Sequence, residues 1–397
     1  MAAAAGDEPS AKMPPPELPA ATRTDIPDEG LNELNRQLGV LICLPAAKVS
    51  EPRLACYGEM PDAQIHLVGH EARSPAPNLI RLRARRLPYF GAPERWTAAL
   101  GWFRGLANVD PGPIDCVLSM ELFSPTSLQA SRLAQRLGAV HVVTIAEVLP
   151  KNPLYALPPW RQVSSAVSRS ADAFVCSVDL ARRFALARGC PADRCVVINP
   201  GIDLTRFVPR VGGRATDPVM LFVGELRPDK GIRNVIAAVK SAREQIPDVR
   251  LIIVGDGPLR EEIKAQSQRQ PFIDYRATIG RDELPGVYQE ARGFILAPHS
   301  RRSWAEQFGF ASVEALASGL PVVITDCGAV REVIPEWNPI CTQHDVSALT
   351  AGIVAALGDE GDEWGKRNRE SAEQRFDIDV QAARLREWLG EQVALHR

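Results

Sequence analysis

Short apolar runs alternate with amphipathic segments along this chain from about residue 38 onward. In the first half, the runs that predict strands are Val40–Leu44, Gln64–Val68, Cys116–Met120, Val140–Ile145, Ala173–Ser177 and Cys195–Ile198. The intervening segments place apolar residues at helical spacing, as in the predicted helices Trp160–Ala171 and Leu180–Arg188. A strand-then-helix rhythm predicts a parallel sheet with helices on both faces.

The same rhythm restarts after a segment rich in turn residues, which predicts a linker over residues 201–217. The second set of predicted strands is Val219–Val223, Leu251–Val254, Thr278–Ile279, Phe294–Ala297 and Val322–Thr325. The pattern therefore predicts an α/β protein of two Rossmann-like domains that face a cleft, with domains at 37–200 and 218–372. Ligands of such sheets bind at the carboxyl ends of the strands.

Composition narrows the class of protein. The 397 residues suffice for two domains, and 45% hydrophobic with 24% charged residues is normal for a globular protein. A formal net charge of −2 gives no reason to expect a nucleic-acid partner. The eight cysteines are scattered singly without metal-ligand spacing, which favours reduced thiols and a cytoplasmic location.

The first 36 residues are rich in Ala, Pro and acidic residues, and we interpret them as a disordered leader. They lack the basic and apolar regions of a signal peptide. No apolar run approaches the 18 residues of a membrane span.

The most informative chemistry lies in the segment Glu306–Thr325, EQFGFASVEALASGLPVVIT. It places two carboxylates, Glu306 and Glu314, eight positions apart around a turn at Gly309. The free amides of the helix that follows this turn form a site for an anion such as a diphosphate. One carboxylate lies where it can accept hydrogen bonds from sugar hydroxyls, and the other where it can reach a ribose. The segment therefore predicts a nucleotide-sugar pocket.

This segment resembles the E-x7-E signature of the retaining glycosyltransferases of family four, which have the GT-B fold. Further segments resemble the family's motifs in the same order. They are Asn199–Asp203 with Arg206 and Phe207, Leu221–Gly224 with Lys230 and Gly231, Ile252–Pro258, and Asp326 with Gly328 and Arg331–Val333. The resemblance covers about residues 115–385. It also implies that the C-terminal segment, residues 373–397, packs back on the N-terminal domain.

The resemblance implies a role for each matching residue of the donor site. Glu306 would hold hydroxyls of the donor sugar, Glu314 would bind the ribose, and Lys230 would stabilise the leaving diphosphate. The remaining donor-binding positions are Gly224, Gln307, Phe308, Gly309 and Phe310. No metal or other cofactor is implied.

The sequence departs from the family at several of these positions. Glu225 stands where an arginine is usual, and Arg227 could supply the missing charge or be a solvated turn residue. Gln307 replaces a glycine of the family's turn. Glu121 stands where a histidine is usual, so either it or Glu147 is a candidate acceptor ligand or base, or both are ordinary loop carboxylates. The usual Gly-rich loop after the first strand is replaced by Leu44–Ala47.

The resemblance implies retention of the anomeric configuration by attack on the face from which the diphosphate leaves. The sequence predicts neither the donor sugar nor the acceptor, which could be a glycan, a small molecule or a lipid-linked sugar. Two alternatives remain: a catalytically weak nucleotide-sugar-binding or partner subunit, and a nucleotide-sugar epimerase of the same fold. Asp377–Asp379 resembles a metal motif only in its letters, and we interpret it as a surface turn.

The basic cluster Arg81–Arg86 has two interpretations. Basic and apolar surface on the first domain serves peripheral membrane contact in related enzymes that act on lipids. The alternation of Ile80, Leu82 and Ala84 with arginines also predicts an edge strand with one solvated face.

Overall fold

Two parallel β-sheets follow one another along the chain. The computed structural model describes residues 37–44, 57–58, 60–69, 79–82, 84–85, 101–149 and 152–397. Each sheet has helices between its strands, and the strand order reverses near the middle of each sheet. The predicted α/β fold of two Rossmann-like domains is confirmed.

The first sheet has seven parallel strands in the order β3-β2-β1-β6-β7-β8-β9. These strands are β1 Leu38–Cys43, β2 Ala63–Gly69, β3 Leu79–Arg81, β6 Cys116–Met120, β7 Val140–Ile145, β8 Ala173–Cys176 and β9 Cys195–Val197. A separate antiparallel pair joins β4 Ala84–Arg85 to β5 Trp102–Phe103. Within the described part of this domain, the α-helices are α1 Pro125–Leu137, α2 Trp160–Ser170 and α3 Asp179–Ala187.

The second sheet has six parallel strands in the order β12-β11-β10-β13-β14-β15. They are β10 Val219–Val223, β11 Arg250–Val254, β12 Ile273–Arg276, β13 Gly293–Leu296, β14 Val322–Thr325 and β15 Ile340–Cys341. The helices of the second half are α4 Ile232–Ala242, α5 Arg260–Arg269, α6 Leu284–Glu290, α7 Phe310–Ala317, α8 Val330–Val333, α9 Val346–Leu357, α10 Asp359–Arg375 and α11 Ile378–His396.

Both faces of the first sheet are buried, which explains its continuous apolar runs. Because side chains alternate across a strand, Val40 and Ile42 of β1 enter one core, whereas Leu41 and Cys43 enter the other. Helix α1 covers the second of these cores. The first core is covered by α11, which contributes apolar side chains such as Leu385 and Leu389.

The chain crosses between the two domains twice, and the two crossings are hydrogen-bonded to each other. Ile202 N donates to Phe376 O at 2.7 Å, and Ile378 N donates to Ile202 O at 3.1 Å. The second crossing leads into α11, so the last helix of the chain packs on the first domain. These paired segments form the hinge region.

A second contact between the domains lies at the N-terminal end of α3. The amide of Leu180 donates to Glu332 Oε1 at 3.0 Å, and Glu332 belongs to α8 in the second domain. A carboxylate at a helix N-terminus satisfies a free amide and interacts favourably with the helix dipole. This contact is thus a second link between the two domains, in addition to the hinge region.

Several predicted elements need correction. The predicted strand Thr278–Ile279 is wrong, because the strand of that region is Ile273–Arg276, which pairs with β11. The predicted edge strand at Ile80 is confirmed for β3, but Ala84 belongs to the separate antiparallel pair. Asp377 is the N-cap of α11, and its carboxylate accepts hydrogen bonds from the amides of Asp379 and Val380. Residues 1–36 and 45–47 lie outside the described residues.

Candidate functional site

The candidate donor residues lie where the strand order of the second sheet reverses. Strands β10 and β13 are neighbours there, and their carboxyl ends lead into two long loops. The loop after β10 carries Lys230 in a 3-10 turn, Pro228–Lys230. The loop after β13 carries Glu306 and leads into α7. Such a reversal point is the usual position of a ligand in an open α/β sheet.

Lys230 and Glu306 are joined by a direct ion pair across this point. The distance from Lys230 Nζ to Glu306 Oε2 is 2.6 Å. The Glu306 side chain is 9% exposed and that of Lys230 is 19% exposed, so solvent screens the pair only weakly. The two residues that the sequence assigned to the sugar and the diphosphate are therefore neighbours.

Close backbone contacts fix both partners of this ion pair. A Cβ atom on Gly231 would lie 1.7 Å from Ala297 O, so only glycine allows the Lys230 loop to approach the end of β13. A Cβ atom on Gly328 would lie 2.1 Å from Glu306 O, and the next amide, that of Ala329, donates to the same oxygen. The loop after β14 thus supports the backbone of Glu306.

Arg227 is held by carboxylates of its own loop. Its Nε donates to Asp229 Oδ1 at 2.9 Å and its Nη1 donates to Glu225 Oε2 at 3.0 Å, while Nη2 pairs with Asp229 Oδ2. The Asp229 side chain is only 5% exposed. Two carboxylates therefore neutralise the guanidinium that the sequence analysis offered to the diphosphate.

Trp304 connects the two cations of this loop. Lys230 Nζ lies 5.1 Å and Arg227 Cζ lies 5.2 Å from the centre of its ring. Both distances are within the range of cation–π attraction. The indole therefore holds the loop after β10 against the loop after β13.

The turn before α7 is formed by Phe308, Gly309 and Phe310. Gly309 has φ 78° and is the N-cap of the helix, so the first amides of α7 are directed toward this end. Phe308 is buried and its ring lies 5.0 Å from that of Phe310 and 5.6 Å from that of Phe376. The turn is thus packed against the hinge region through Phe376.

Glu314 lies inside α7 with its carboxylate almost completely buried. Tyr288 Oη lies 2.9 Å from Glu314 Oε2 and 3.0 Å from Ala311 O. Burial raises the pKa of Glu314 to about 7, although the Tyr288 hydroxyl, Arg281 and Arg206 act in the opposite direction. Tyr288 therefore fixes the orientation of the second glutamate of the signature.

Gly224 and Gln307 complete the donor positions named from the sequence. Gly224 directly follows β10, and its amide donates to Val254 O of β11 at 3.0 Å. Gln307 is half-buried between Glu306 and Phe308. Both positions lie at the same edge of the sheet as Lys230.

Glu121 lies at the carboxyl end of β6 in the first domain. It has φ 68°, which is rare for a residue other than glycine, and its Oε1 accepts a hydrogen bond from Ala146 N at 3.2 Å. Glu121 borders a cavity whose other lining residues come from the first domain, the hinge region and α11, among them Tyr57, Ser177, Asn199 and Leu385. The structure therefore places Glu121 beside a first-domain cavity.

Glu147 shapes its own loop. Its Oε1 accepts hydrogen bonds from Val148 N and Leu149 N at 3.0 and 2.9 Å, and its Oε2 accepts one from the Tyr155 hydroxyl at 2.7 Å. These contacts favour the interpretation of Glu147 as a structural loop carboxylate.

Sequence reasoning missed two residues of this region. Trp304 stands two positions before Glu306 beside a pair of arginines, and an aromatic residue in a basic loop could have indicated a cation–π contact. Tyr288 gave no comparable signal, because a single aromatic residue is normally part of the core.

Two family models match successive parts of the chain. A model described as "Glycosyl transferase 4-like domain" matches residues 41–201, and one described as "Glycosyl transferases group 1" matches residues 206–375. The chain belongs to the group 1 glycosyltransferases of the GT-B fold. The predicted membership in the group 1 glycosyltransferases of the GT-B fold is thereby confirmed.

Three proteins of known sequence illustrate what the chain is similar to. The chain is 27% identical over 190 residues to sulfoquinovosyl transferase SQD2 of Arabidopsis thaliana, a match that covers 45% of this chain and 35% of that protein. It is 26% identical over 300 residues to a GDP-mannose-dependent phosphatidylinositol dimannoside mannosyltransferase of Mycobacterium tuberculosis, covering 69% and 72%. A match to glycogen synthase of Mycobacterium tuberculosis covers 52% of that protein. The chain thus spans 35% and 52% of the length of two of these relatives and 72% of the third.

Solved structures share the arrangement of the two sheets. Anabaena HepE in complex with UDP superposes with a TM-score of 0.71 at 16% identity, covering 89% of this chain and 100% of that one. Sucrose-phosphate synthase of Thermosynechococcus elongatus superposes with a TM-score of 0.67 at 20% identity, covering 88% and 97%. At such identities the similarity establishes the fold.

Two searches of the described residues gave negative results. None of their helices combines the length and apolar character that crossing a membrane requires. In the same residues, no group of three or more His, Cys, Asp or Glu side chains has an arrangement that could hold a metal ion.

Proposed function

We propose that this chain transfers a sugar from a nucleotide-diphosphate sugar to an acceptor and retains the anomeric configuration. The observation that carries the proposal is the Lys230–Glu306 ion pair of 2.6 Å at the reversal point of the second sheet. It supports a site in which a cation and a carboxylate act on adjacent groups of one ligand, the diphosphate and the sugar.

Lys230 is the cation that stabilises the leaving group. As the bond from the sugar to the diphosphate breaks, negative charge builds up on the bridging oxygen. A fixed ammonium group beside that oxygen stabilises the transition state more than the ground state. An ammonium group has three N–H donors, so Lys230 can keep its bond to Glu306 while it donates to a phosphate oxygen.

Glu306 binds and orients the donor sugar. An ionised carboxylate offers two acceptor oxygens. Oε2 accepts from Lys230, which leaves Oε1 for a sugar hydroxyl. The ion pair thus fixes the orientation of the carboxylate before the donor arrives.

The turn before α7 and the helix itself bind the remainder of the donor. The amides that follow Gly309 are suited to the diphosphate oxygens, because helix N-termini attract anions. Gln307, Phe308 and Phe310 shape this turn, and Gly224 allows close approach from β10. Glu314, oriented by Tyr288, accepts hydrogen bonds from the ribose.

Transfer with retention needs few groups from the protein. The bond from the anomeric carbon to the phosphate oxygen breaks, and the bond to the acceptor oxygen forms on the same face. The acceptor's proton moves to the departing phosphate oxygen, so a separate base is not required. Glu121, beside its first-domain cavity, is then a candidate acceptor ligand. The buried free thiols of Cys43, Cys116 and Cys176 support a reducing, cytoplasmic location for this reaction.

The test is a thermal-shift screen of the purified chain against UDP, GDP, ADP and their sugars. A ligand present at 100 times its Kd stabilises the fold by about 2.7 kcal/mol. The nucleotide-sugar that stabilises the protein is then incubated with it, and release of the nucleoside diphosphate is measured. Binding of one nucleotide with slow hydrolysis of its sugar supports the proposal. Absence of any shift and of any hydrolysis would reject it.

A second candidate function is a binding or partner subunit with little activity. The observation that favours it is Glu225, which stands at the family's arginine position and pairs with Arg227 instead of adding a cation. The two functions differ in the same assay. A subunit would bind the nucleotide-sugar without turnover, even with a broad mixture of acceptors, whereas the enzyme would release the nucleoside diphosphate.

A further inference from the structure

The loop after β10 carries too little positive charge for a diphosphate. Its two cations, Arg227 and Lys230, are paired with three carboxylates, Glu225, Asp229 and Glu306. The formal charge of this group is therefore −1. A nucleoside diphosphate adds two or more negative charges to a partly buried site, where repulsion between like charges is stronger than in water.

Two further arginines lie in a tight turn of the loop after β13, the loop that also carries Trp304 and Glu306. Arg301 and Trp304 form an isolated antiparallel bridge, with Arg301 N donating to Trp304 O at 2.7 Å. The turn holds Arg301 and Arg302 between the end of β13 and Glu306. Both arginine residues are exposed, and within the described residues neither has a carboxylate at ion-pair distance.

Trp304 places this turn against Lys230. Its ring is within 5.2 Å of the charged groups of both Lys230 and Arg227, so the turn that it closes lies over the loop after β10. Arg301 also acts electrostatically on Asp229 of the loop after β10. Burial raises the pKa of Asp229, but Arg227, with a contribution from Arg301, outweighs this effect and lowers it below the usual range.

We propose that Arg301 and Arg302 bind the diphosphate of the donor, in place of the arginine that related enzymes have where Glu225 stands. This inference rests on the proposed function and deepens it. The guanidinium group suits the role because it presents several N–H donors in a planar fork that matches phosphate oxygens. The charge that the family places after β10 is here supplied from the loop after β13.

The experiment measures the affinity of single variants for a nucleoside diphosphate. The probe is UDP, GDP or ADP, whichever stabilises the unaltered protein most, titrated calorimetrically at low and at high salt. Arg301→Gln and Arg302→Gln are compared with Arg250→Gln. Arg250 is the first residue of β11, so it lies at the amino ends of the strands, whereas the candidate site lies at their carboxyl ends. Its side chain is 55% exposed and forms a surface ion pair with Asp217, which makes it a matched control.

We expect each of the two substitutions to raise Kd about threefold to tenfold, and the double substitution to raise it more than tenfold. Screening by salt should reduce the difference between the double variant and the unaltered protein, because the lost contacts are electrostatic. Arg250→Gln should leave Kd within a factor of two. Affinity for the corresponding nucleoside, which lacks the diphosphate, should not change in any variant.

The outcomes separate this inference from the proposed function. If the unaltered protein binds none of the three diphosphates, the proposed function itself fails. If it binds one and both arginine variants bind it equally well, only the inference fails. An unchanged Kd for the diphosphate combined with weaker binding of the intact nucleotide-sugar would also overturn it, since the arginines would then serve the sugar.

Discussion

Lys230 Nζ lies 2.6 Å from Glu306 Oε2, although the two residues are separated by 76 positions in the chain. Each partner is mostly buried and each carries the charge that the other requires. Removal of one partner therefore leaves an unpaired charge in a poorly solvated place, which is more costly than the pair's net contribution to stability. The effect of a substitution at this pair on activity must therefore be measured together with its effect on the free energy of unfolding.

Glu306→Gln should remove most transfer activity. The amide keeps the shape of the side chain but loses the charge that Lys230 and the sugar hydroxyls need. Loss of a charged hydrogen bond in the transition state costs about 1.5–3 kcal/mol, or roughly a tenfold to hundredfold fall in kcat/KM. Glu373→Gln, which changes an exposed glutamate of α10, is the control. Activity of Glu306→Gln within twofold of the unaltered protein, at matched folding, would contradict the assignment.

Arg227 and Lys230 should behave differently. Lys230→Ala should weaken binding of the nucleoside diphosphate, and it should reduce the rate of transfer by a larger factor than the affinity. Arg227→Gln should instead lower stability by about 3 kcal/mol, because the buried carboxylate of Asp229 loses its partner. The double variant Arg227→Gln with Asp229→Asn should recover much of this loss, as measured by denaturant unfolding. A diphosphate affinity that falls as much in this double variant as in Lys230→Ala would show that Arg227 does contact phosphate.

The fold could be predicted from the sequence because the apolar runs coincide with strands that are buried on both faces. The strands Cys116–Met120, Val140–Ile145, Val219–Val223 and Val322–Thr325 are buried on both faces, so their apolar runs predicted them to the residue. The strand Ile273–Arg276 was missed because it is only partly apolar. Exposed and half-buried residues weaken the apolar signal on which such a prediction depends.

The sequence also identified the two ends of the candidate site, but not the charge balance between them. The positions of the motifs predicted that Lys230 and Glu306 both lie at the carboxyl ends of strands in the second sheet. It contained no information on the direction of the Arg227 side chain, which is set by Asp229 two residues later. The contribution of Trp304 depends on the meeting of two loops that are distant from each other in the chain. Only the folded arrangement contains that contact.

The stability of the protein should depend on pH through Glu314. An exposed glutamate titrates near pH 4.5, whereas burial raises the pKa of Glu314 to about 7 in the folded protein. Between these values the folded state holds a proton that the unfolded chain has lost. The contribution of this group to stability is therefore complete below about pH 4.5 and falls as pH rises to about 7, by up to about 3 kcal/mol. Glu314→Gln should flatten this part of the curve of unfolding free energy against pH; identical curves would contradict the prediction.

Tyr288→Phe should weaken binding of the nucleotide without altering the chemistry. The change removes only the hydroxyl that lies between Glu314 and Ala311 O, so the glutamate loses its fixed orientation. We expect KM for the nucleotide-sugar to rise about threefold to tenfold with kcat nearly constant, as for loss of uniform binding. Tyr275→Phe is the control, since its hydroxyl bonds to Gly255 O outside α7. A fall in kcat with unchanged KM would assign Tyr288 a different role.

Transfer should survive excess EDTA. The proposed site offsets the charge of the diphosphate with Lys230, the two arginines at 301 and 302, and the amides at the start of α7. The side chains of Asp377 and Asp379, which resemble a metal motif in sequence, lie at the start of α11, where Asp377 caps the helix. The measurement compares initial rates in EDTA with those in added Mg²⁺ or Mn²⁺. Loss of activity in EDTA and its recovery with Mn²⁺ would show that a metal ion supplies the charge.

The product should keep the anomeric configuration of the donor. In the proposed arrangement Lys230 and the start of α7 hold the diphosphate on one face of the sugar, and the acceptor enters on that same face while the departing oxygen takes its proton. Inversion would instead need a carboxylate on the acceptor side to remove the proton during attack from the opposite face. Glu121, at the carboxyl end of β6, is the candidate for that role. The coupling constant of the anomeric proton in the NMR spectrum of the first-formed product distinguishes the two cases. An inverted product would reject retention, and Glu121→Gln should then abolish transfer, whereas with retention Glu121→Gln should change mainly the KM for the acceptor.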